Sequence, residues 1–313
     1  MSRSAAQGSV SWSVDTLVSQ YGGVAGGGLG GTGDSVAAAV RCLYVDLDGT
    51  LLGPNASLLT GGDGRFSLLG VRALEACARA DVEVVIYSGR RQGSVFDAAR
   101  LIGSSAYIFE IGCGLVVDGE LEWLTDGLVP TGDAGSIHDQ ITASGAPALL
   151  LERFAGRLEY HTPWSEGREV SHLMRGNVDL DEVAAVLGDA GLDWLRLVDN
   201  GVIRASSEQL AGLPTIHAYH LIPAGASKAR GVARHMQIRG YAREECIAAG
   251  DSREDMEAAS VVGTFWLMAN ALVRDETLEA DVARRPGVRV ASEPYGAGVY
   301  EAVVTTLAER GGR

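Results

Sequence analysis

Residues 41–50, Arg41-Cys-Leu-Tyr-Val-Asp46-Leu-Asp48-Gly-Thr50, decide the fold. Four apolar residues, Cys42 to Val45, run straight into a polar Asp-Leu-Asp-Gly-Thr. A continuous apolar run suits a strand buried on both faces of a parallel sheet, and such strands deliver polar groups at their C-terminal edge. The same texture repeats outward. Leu68 to Ala80 has helical apolar spacing, and Glu83-Val-Val-Ile-Tyr87 is a second apolar strand ending in Ser88-Gly-Arg90. A helix from Val95 to Leu101 leads to a third strand over Ala106 to Phe109. This alternation predicts an α/β fold with a parallel, helix-covered, Rossmann-like sheet.

The middle of the chain reads differently. Strands are expected at Leu115 to Val117, Ala148 to Arg153, Val170 to Arg175, Trp194 to Val198, Val202 to Ala205 and Thr215 to Leu221, with a helix over Asp179 to Leu187. Asp199-Asn-Gly201 between two β-rich runs is a hairpin signal. The α/β pattern then resumes with a helix over Lys228 to Met236, a strand over Cys246 to Ala249 ending in Gly250-Asp-Ser, and a helix from about Arg253. Strands at Gly263 to Met268 and Val288 to Val290 and a helix over Gly298 to Ala308 complete it. The expected division is a flexible Gly-rich extension at 1–38, a Rossmann-like core at 39–114 and 221–313, and an inserted α+β cap at 115–220. Within the extension, Gly28-Leu-Gly-Gly-Thr-Gly33 matches a dinucleotide fingerprint in form only, because no strand precedes it.

Composition excludes several roles. Forty acidic against 26 basic residues give a net charge of −14, which argues against a nucleic-acid or anionic-membrane partner. No apolar run reaches the ~18 residues of a membrane span, and no apolar block near the N-terminus marks a signal peptide. Cys42, Cys77, Cys113 and Cys246 lack metal-type spacing and read as buried reduced thiols of a cytoplasmic protein. Of the 26 basic residues only Lys228 is a lysine, so that position calls for its own explanation.

Four polar clusters fall at strand ends or helix starts, which converge on one crevice in an open parallel sheet. In Asp46-x-Asp48-Gly-Thr50, two carboxylates two apart either share a divalent metal or form an ordinary polar turn. Ser88-Gly89-Arg90 offers a hydroxyl and free amides, as an anion site or as a plain helix cap. Lys228 follows Pro223-Ala-Gly-Ala-Ser227 at a helix start. In Gly250-Asp251-Ser252-Arg-Glu254-Asp255, Ser252 and Asp255 form a capping box, but Asp251 and Asp255 would repel without a cation between them. Hard carboxylate oxygens suit Mg²⁺.

In this order, the clusters resemble the four motifs of the haloacid dehalogenase superfamily of phosphohydrolases, over residues 41–313. Asn270-Ala in Met268-Ala-Asn-Ala is similar to that family too. The 139 residues between Ser88 and Lys228 place the insertion as in the branch of sucrose-phosphate, trehalose-phosphate and mannosyl-3-phosphoglycerate phosphatases, phosphomannomutases and Cof-like sugar-phosphate phosphatases. Glu110-x-Gly112-x-Gly114 resembles the Glu-Asn-Gly-Gly stretch of the mannosyl-3-phosphoglycerate group, with Ile111 in place of Asn. Glu254 stands where many relatives carry Asn.

The resemblance implies Asp46 as nucleophile and Asp48 as general acid and base. Thr50, Ser88, Gly89 and Lys228 would bind phosphate, and Asp46, Asp48, Asp251 and Asp255 would hold Mg²⁺, with Asp255 behind the others. Arg90, Glu110, Arg175, Asn177, Ser252 and Asn270 are candidates for substrate contact or support. His172, Arg175 and Asn177 equally suit a half-exposed strand, and in His217-x-x-His220 the two rings should point to opposite faces. The expected activity is Mg²⁺-dependent hydrolysis of a sugar phosphate or phosphorylated glycosyl compound, by a monomer or small homo-oligomer. A phosphomannomutase-like transferase and a catalytically silent binding module are the alternatives.

Overall fold

The computed structural model describes residues 38–203 and 207–310. Residues 1–37, with the Gly28–Gly33 match, lie outside the described residues, as does part of the expected 202–205 strand. The chain runs β1 (Cys42–Val45), α1 (Leu69–Arg79), β2 (Glu83–Tyr87), α2 (Gln92–Leu101), β3 (Ala106–Phe109), β4 (Gly114–Val117) and β5 (Glu120–Trp123). It continues through α3 (Ile137–Ala143), α4 (Ala146–Arg153), β6 (Leu158–Tyr160), β7 (His172–Gly176), α5 (Leu180–Asp189), β8 (Leu195–Val202) and β9 (His217–Pro223). Then come α6 (Lys228–Arg239), β10 (Cys246–Gly250), β11 (Thr264–Leu267), α7 (Ala269–Arg274), α8 (Leu278–Ala283), β12 (Val288–Val290) and α9 (Tyr295–Glu309).

Eight strands form the main sheet in the order β12-β11-β10-β1-β2-β3-β4-β5, and β6-β7-β9-β8 form a second, antiparallel sheet. From β12 to β3 the main sheet is parallel. β1 is its centre: the chain leaves on one side toward β2 and returns on the other at β10. Such a reversal opens a crevice at the carboxyl ends of the strands. Alternate β1 residues enter two cores. Leu43 and Val45 pack with α1, α2 and α9, whereas Cys42 and Tyr44 pack with α6 and α8. The second sheet has its own core with α3, α4 and α5.

Several expectations need correction. β4 pairs antiparallel with β3, and β5 with β4, so the expected cap boundary at 115 falls inside the main sheet. A short turn suffices for antiparallel pairing, so the apolar run after β3 folds back on its neighbour. The end at 220 cuts β9, whose Leu221 and Ile222 still pair with β8. Ala148 to Arg153 is helix, not strand: Pro147 opens α4 where its missing N–H costs nothing. The Asp199-Asn-Gly201 signal makes no hairpin, since β8 runs through it with a register irregularity against β9. The helix expected from Arg253 is a 3-10 segment, Asp255–Ser260.

Candidate active site

Asp46 continues β1 by one residue, its amide donating to the Ala249 carbonyl at 3.1 Å. Its carboxylate is buried, while the Asp48 side chain is 53% exposed. Two acids of one motif thus occupy different environments. Gly49 lets the chain turn between them at φ +89°, where a Cβ would strike the Asp251 carboxylate. Thr50, expected at the phosphate, is fully buried and its hydroxyl donates to Asp251 Oδ1 at 3.2 Å. Asn270 braces the same loop, donating to the Gly49 carbonyl at 2.9 Å and accepting from the Tyr295 amide at 2.9 Å.

Ser227 caps α6, its hydroxyl accepting from the Arg230 amide, so Lys228 is the first helical residue and points into the crevice. Its Nζ donates to Asp46 Oδ1 at 2.9 Å and to Asp255 Oδ1 at 2.5 Å, with Glu254 Oε2 at 3.7 Å. The Lys228 side chain is 1% exposed and its Nζ lies 5.1 Å from the Tyr87 ring centre. Burial opposes its charge, but Asp255, Asp46 and Glu254 outweigh that and hold the ammonium protonated well above its ordinary range. Burial likewise pushes the Asp46 carboxyl up to about 7, against the pull of Lys228, and Glu254 up to about 8.

Asp255 is saturated with donors. Its Oδ2 accepts from the amides of Asp251 and Ser252 at 3.1 Å each and from the Ser252 hydroxyl at 2.7 Å. It therefore shapes the loop and aims Lys228. Asp251 pairs with Arg274, a partner that no local motif marks. Four carboxylates (Asp46, Asp251, Glu254, Asp255) thus gather around two cations, Lys228 and Arg274.

At the end of β2, Ser88 is buried and its hydroxyl accepts from the Arg90 amide at 3.3 Å, leaving its own proton free to donate. Arg90 grips Asp48 through two bonds of 2.6 Å. Glu110 is fully buried and accepts from the amides of Glu169, Val170 and Ser171 at 2.8, 3.1 and 2.6 Å, which ties the turn after β3 to the start of β7. Buried Arg168 lies 3.8 Å from Glu110 and donates to the Gly89 carbonyl at 3.1 and 3.0 Å. A Cβ on Gly89 would sit 3.0 Å from Asn200 Nδ2 and 3.1 Å from His220 Nε2, so side chains of the second sheet reach the Ser88–Arg90 turn. Gly201 lies against Ser252.

Arg175 and Asn177 are not brought to this crevice. Arg175 donates to Glu159 at 2.6 Å and Asn177 to Thr215, at the far end of β7 from Ser171. His172 is buried against Tyr160 and His138, and burial pushes it down to about 4. His217 and His220 take different partners, Asp199 at 2.8 Å and Ser171 at 3.1 Å, as expected for opposite faces. Arg168, Arg274 and Asn200 were missed, because their partners come from distant segments that no local motif marks.

A sequence profile for haloacid dehalogenase-like hydrolases matches residues 215–276, the segment from β9 through α7. A phosphoglycolate phosphatase of Methanoculleus marisnigri is 26% identical over 268 residues, which cover 84% of this chain and 95% of that protein. The solved sucrose-phosphatase of Synechocystis sp. PCC6803 shares the fold with a TM-score of 0.59 at 14% identity, over 88% of this chain and 99% of that one. A Bacteroides thetaiotaomicron phosphatase of the haloalkanoate (HAD) enzyme superfamily does so with a TM-score of 0.56 at 17% identity, over 90% and 99%. The chain is thus similar to haloacid dehalogenase-like phosphatases in sequence and in fold. In this protein Asp46, Asp251 and Asp255 bring carboxylate oxygens within 4.8 Å of one another. All three offer hard carboxylate oxygens, the donor type that a small divalent ion prefers. The residues therefore fit Mg²⁺. No helix among the described residues is long and apolar enough to cross a membrane.

Proposed function

We propose that this protein is a Mg²⁺-dependent phosphomonoesterase that uses Asp46 as its nucleophile. The observation that carries this is the buried Asp46 carboxylate, clamped by Lys228 at 2.9 Å, two residues before the exposed Asp48. Mg²⁺ held by Asp46, Asp251 and the Asp48 backbone carbonyl would supply charge neutralisation to a dianionic phosphoryl group. Asp46 attacks phosphorus as the ester P–O bond breaks, giving an aspartyl-phosphate. Asp48 protonates the departing alkoxide, then takes a proton from the water that cleaves the acyl phosphate. Arg90 sets the direction of Asp48. The Ser88 hydroxyl, the Gly89 amide and Lys228 hold the phosphoryl oxygens.

The module carrying the second sheet is read as a substrate-selecting cap. Asn200 and His220 would stand about 3 Å from a Cβ on Gly89, so they line the turn closely, which supports a small leaving group. The archaeal relative named phosphoglycolate phosphatase supports a short phosphorylated acid. Sucrose-phosphatase and its like keep sugar phosphates in view, sucrose phosphate and mannosyl-3-phosphoglycerate among them. A phosphate-release panel tests the reading. Phosphoglycolate is expected to exceed sucrose phosphate at least tenfold in kcat/KM, and Asp46→Asn to leave under ~1% of turnover. Isomerised sugar without phosphate would identify a mutase instead, and no turnover of any ester would leave only a binding module.

A further inference from the structure

At the amino ends of the main sheet's central strands, the opposite end from Asp46, three side chains of metal-ligating type converge outside the machinery above. Cys42 opens β1, Glu83 opens β2 and His235 descends from α6, with one ligand atom of each within 4.8 Å of the others. His235 is fully buried. Its Nδ1 lies 2.8 Å from the Tyr44 hydroxyl, while Nε2 has no hydrogen-bond partner and faces Glu83 Oε2 at 3.6 Å. That gap is too long for a hydrogen bond. It is close to the ~3.3 Å edge between two ligands each ~2.0 Å from one tetrahedral ion.

The surroundings also suit a ligand set. In the tautomer that gives its Nδ1–H to Tyr44, the imidazole keeps the Nε2 lone pair for a metal, the usual arrangement of ligating histidines. Glu83 is oriented by the Tyr241 hydroxyl at 2.9 Å and by Arg239 at 3.2 and 3.1 Å, and Arg239 shares its charge with Asp118. Cys246, the register partner of Cys42 on β10, places a second thiol beside the first.

The geometry points to a second metal site, for a zinc-class divalent cation, formed by Cys42 Sγ, the Glu83 carboxylate and His235 Nε2. Water or Cys246 takes the fourth position. Mixed sulfur, nitrogen and oxygen donors suit borderline-soft Zn²⁺, whereas Mg²⁺ prefers the all-oxygen crevice. Burial pushes the Cys42 thiol well above its ordinary range, so the ion must displace its proton. The site would tie β1, β2 and α6 together.

Cobalt titration of the full-length, chelator-stripped protein tests this, with Mg²⁺ in excess to fill the acidic crevice. One Co²⁺ per chain is expected to give a thiolate-to-cobalt charge-transfer band and intense tetrahedral visible bands, both displaced by Zn²⁺. Asp46→Asn should keep both bands. Cys42→Ala should remove at least half of the charge-transfer band and Cys42→Ala with Cys246→Ala all of it, and Glu83→Gln, a partly exposed isostere that spares the core, should weaken Co²⁺ at least ~tenfold. Binding without a thiolate band, loss of the band in Asp46→Asn, or unchanged affinity in Glu83→Gln would overturn the proposal.

Discussion

Lys228 shows what a single residue contributes. Its ammonium fits between Asp46 Oδ1 and Asp255 Oδ1, under the Tyr87 ring, with no exposed surface to spare. A guanidinium is a broad planar fork, so the site takes a point charge in a chain that otherwise uses Arg 25 times. Lys228→Arg is expected to keep the fold and lower kcat/KM by roughly tenfold or more, equivalent to ~1.4 kcal/mol. Steady-state kinetics beside a thermal melt checks it, and wild-type kcat/KM would contradict it. The lone lysine was legible in the sequence. The burial of Glu254 beside it was not, because a carboxylate within a capping-box pattern looks solvent-facing until α6 is laid over it.

At the scale of elements, the parallel strands were legible because each is a short apolar run with polar residues at its end. β5 and β6 were not, being three or four residues long with charged residues among them. The 148–153 segment went astray because an apolar run carries no period, and only Pro147 marked the helix. Glu110 joins the turn after β3 to the start of β7 through three amides and buried Arg168, a link that no spacing rule displays. Glu110→Gln removes the charge opposite Arg168 and weakens those bonds. It is expected to cost about 3 kcal/mol of stability, since breaking one partner of a buried pair strands the other. Denaturant unfolding measures this, and a loss below ~1 kcal/mol would show that Arg168 is satisfied by Gly89 and Ser171 alone.

At the scale of the whole molecule, α6 runs from the crevice at the strands' carboxyl ends to their amino ends. Lys228 and His235 lie seven residues apart on one buried face, about 10 Å along the axis. The crevice itself gathers four carboxylates in a chain of net charge −14, so stability should depend on Mg²⁺ and on pH together. Without a bound ion, burial pushes the Asp46 carboxyl up to about 7, above its ordinary 3.8, because it disfavours the charged form. The folded state therefore holds a proton between those values that the unfolded chain lacks, and stability falls as pH rises through that window. Glu254, raised to about 8, acts in the same direction. On the proposed function, Mg²⁺ would need the ionised carboxylate, so it would compete with that proton and bind more tightly once the proton is gone. At ~100 times its Kd the ion adds about 2.7 kcal/mol to the folded state. The Mg²⁺-induced rise in Tm should therefore be larger at about pH 8 than at about pH 6, and Asp251→Asn should remove most of it. Melts with Mg²⁺ or with excess chelator at both pH values make the comparison. A rise equal at both would mean that Asp46 is already ionised before the metal arrives, held so by Lys228 alone.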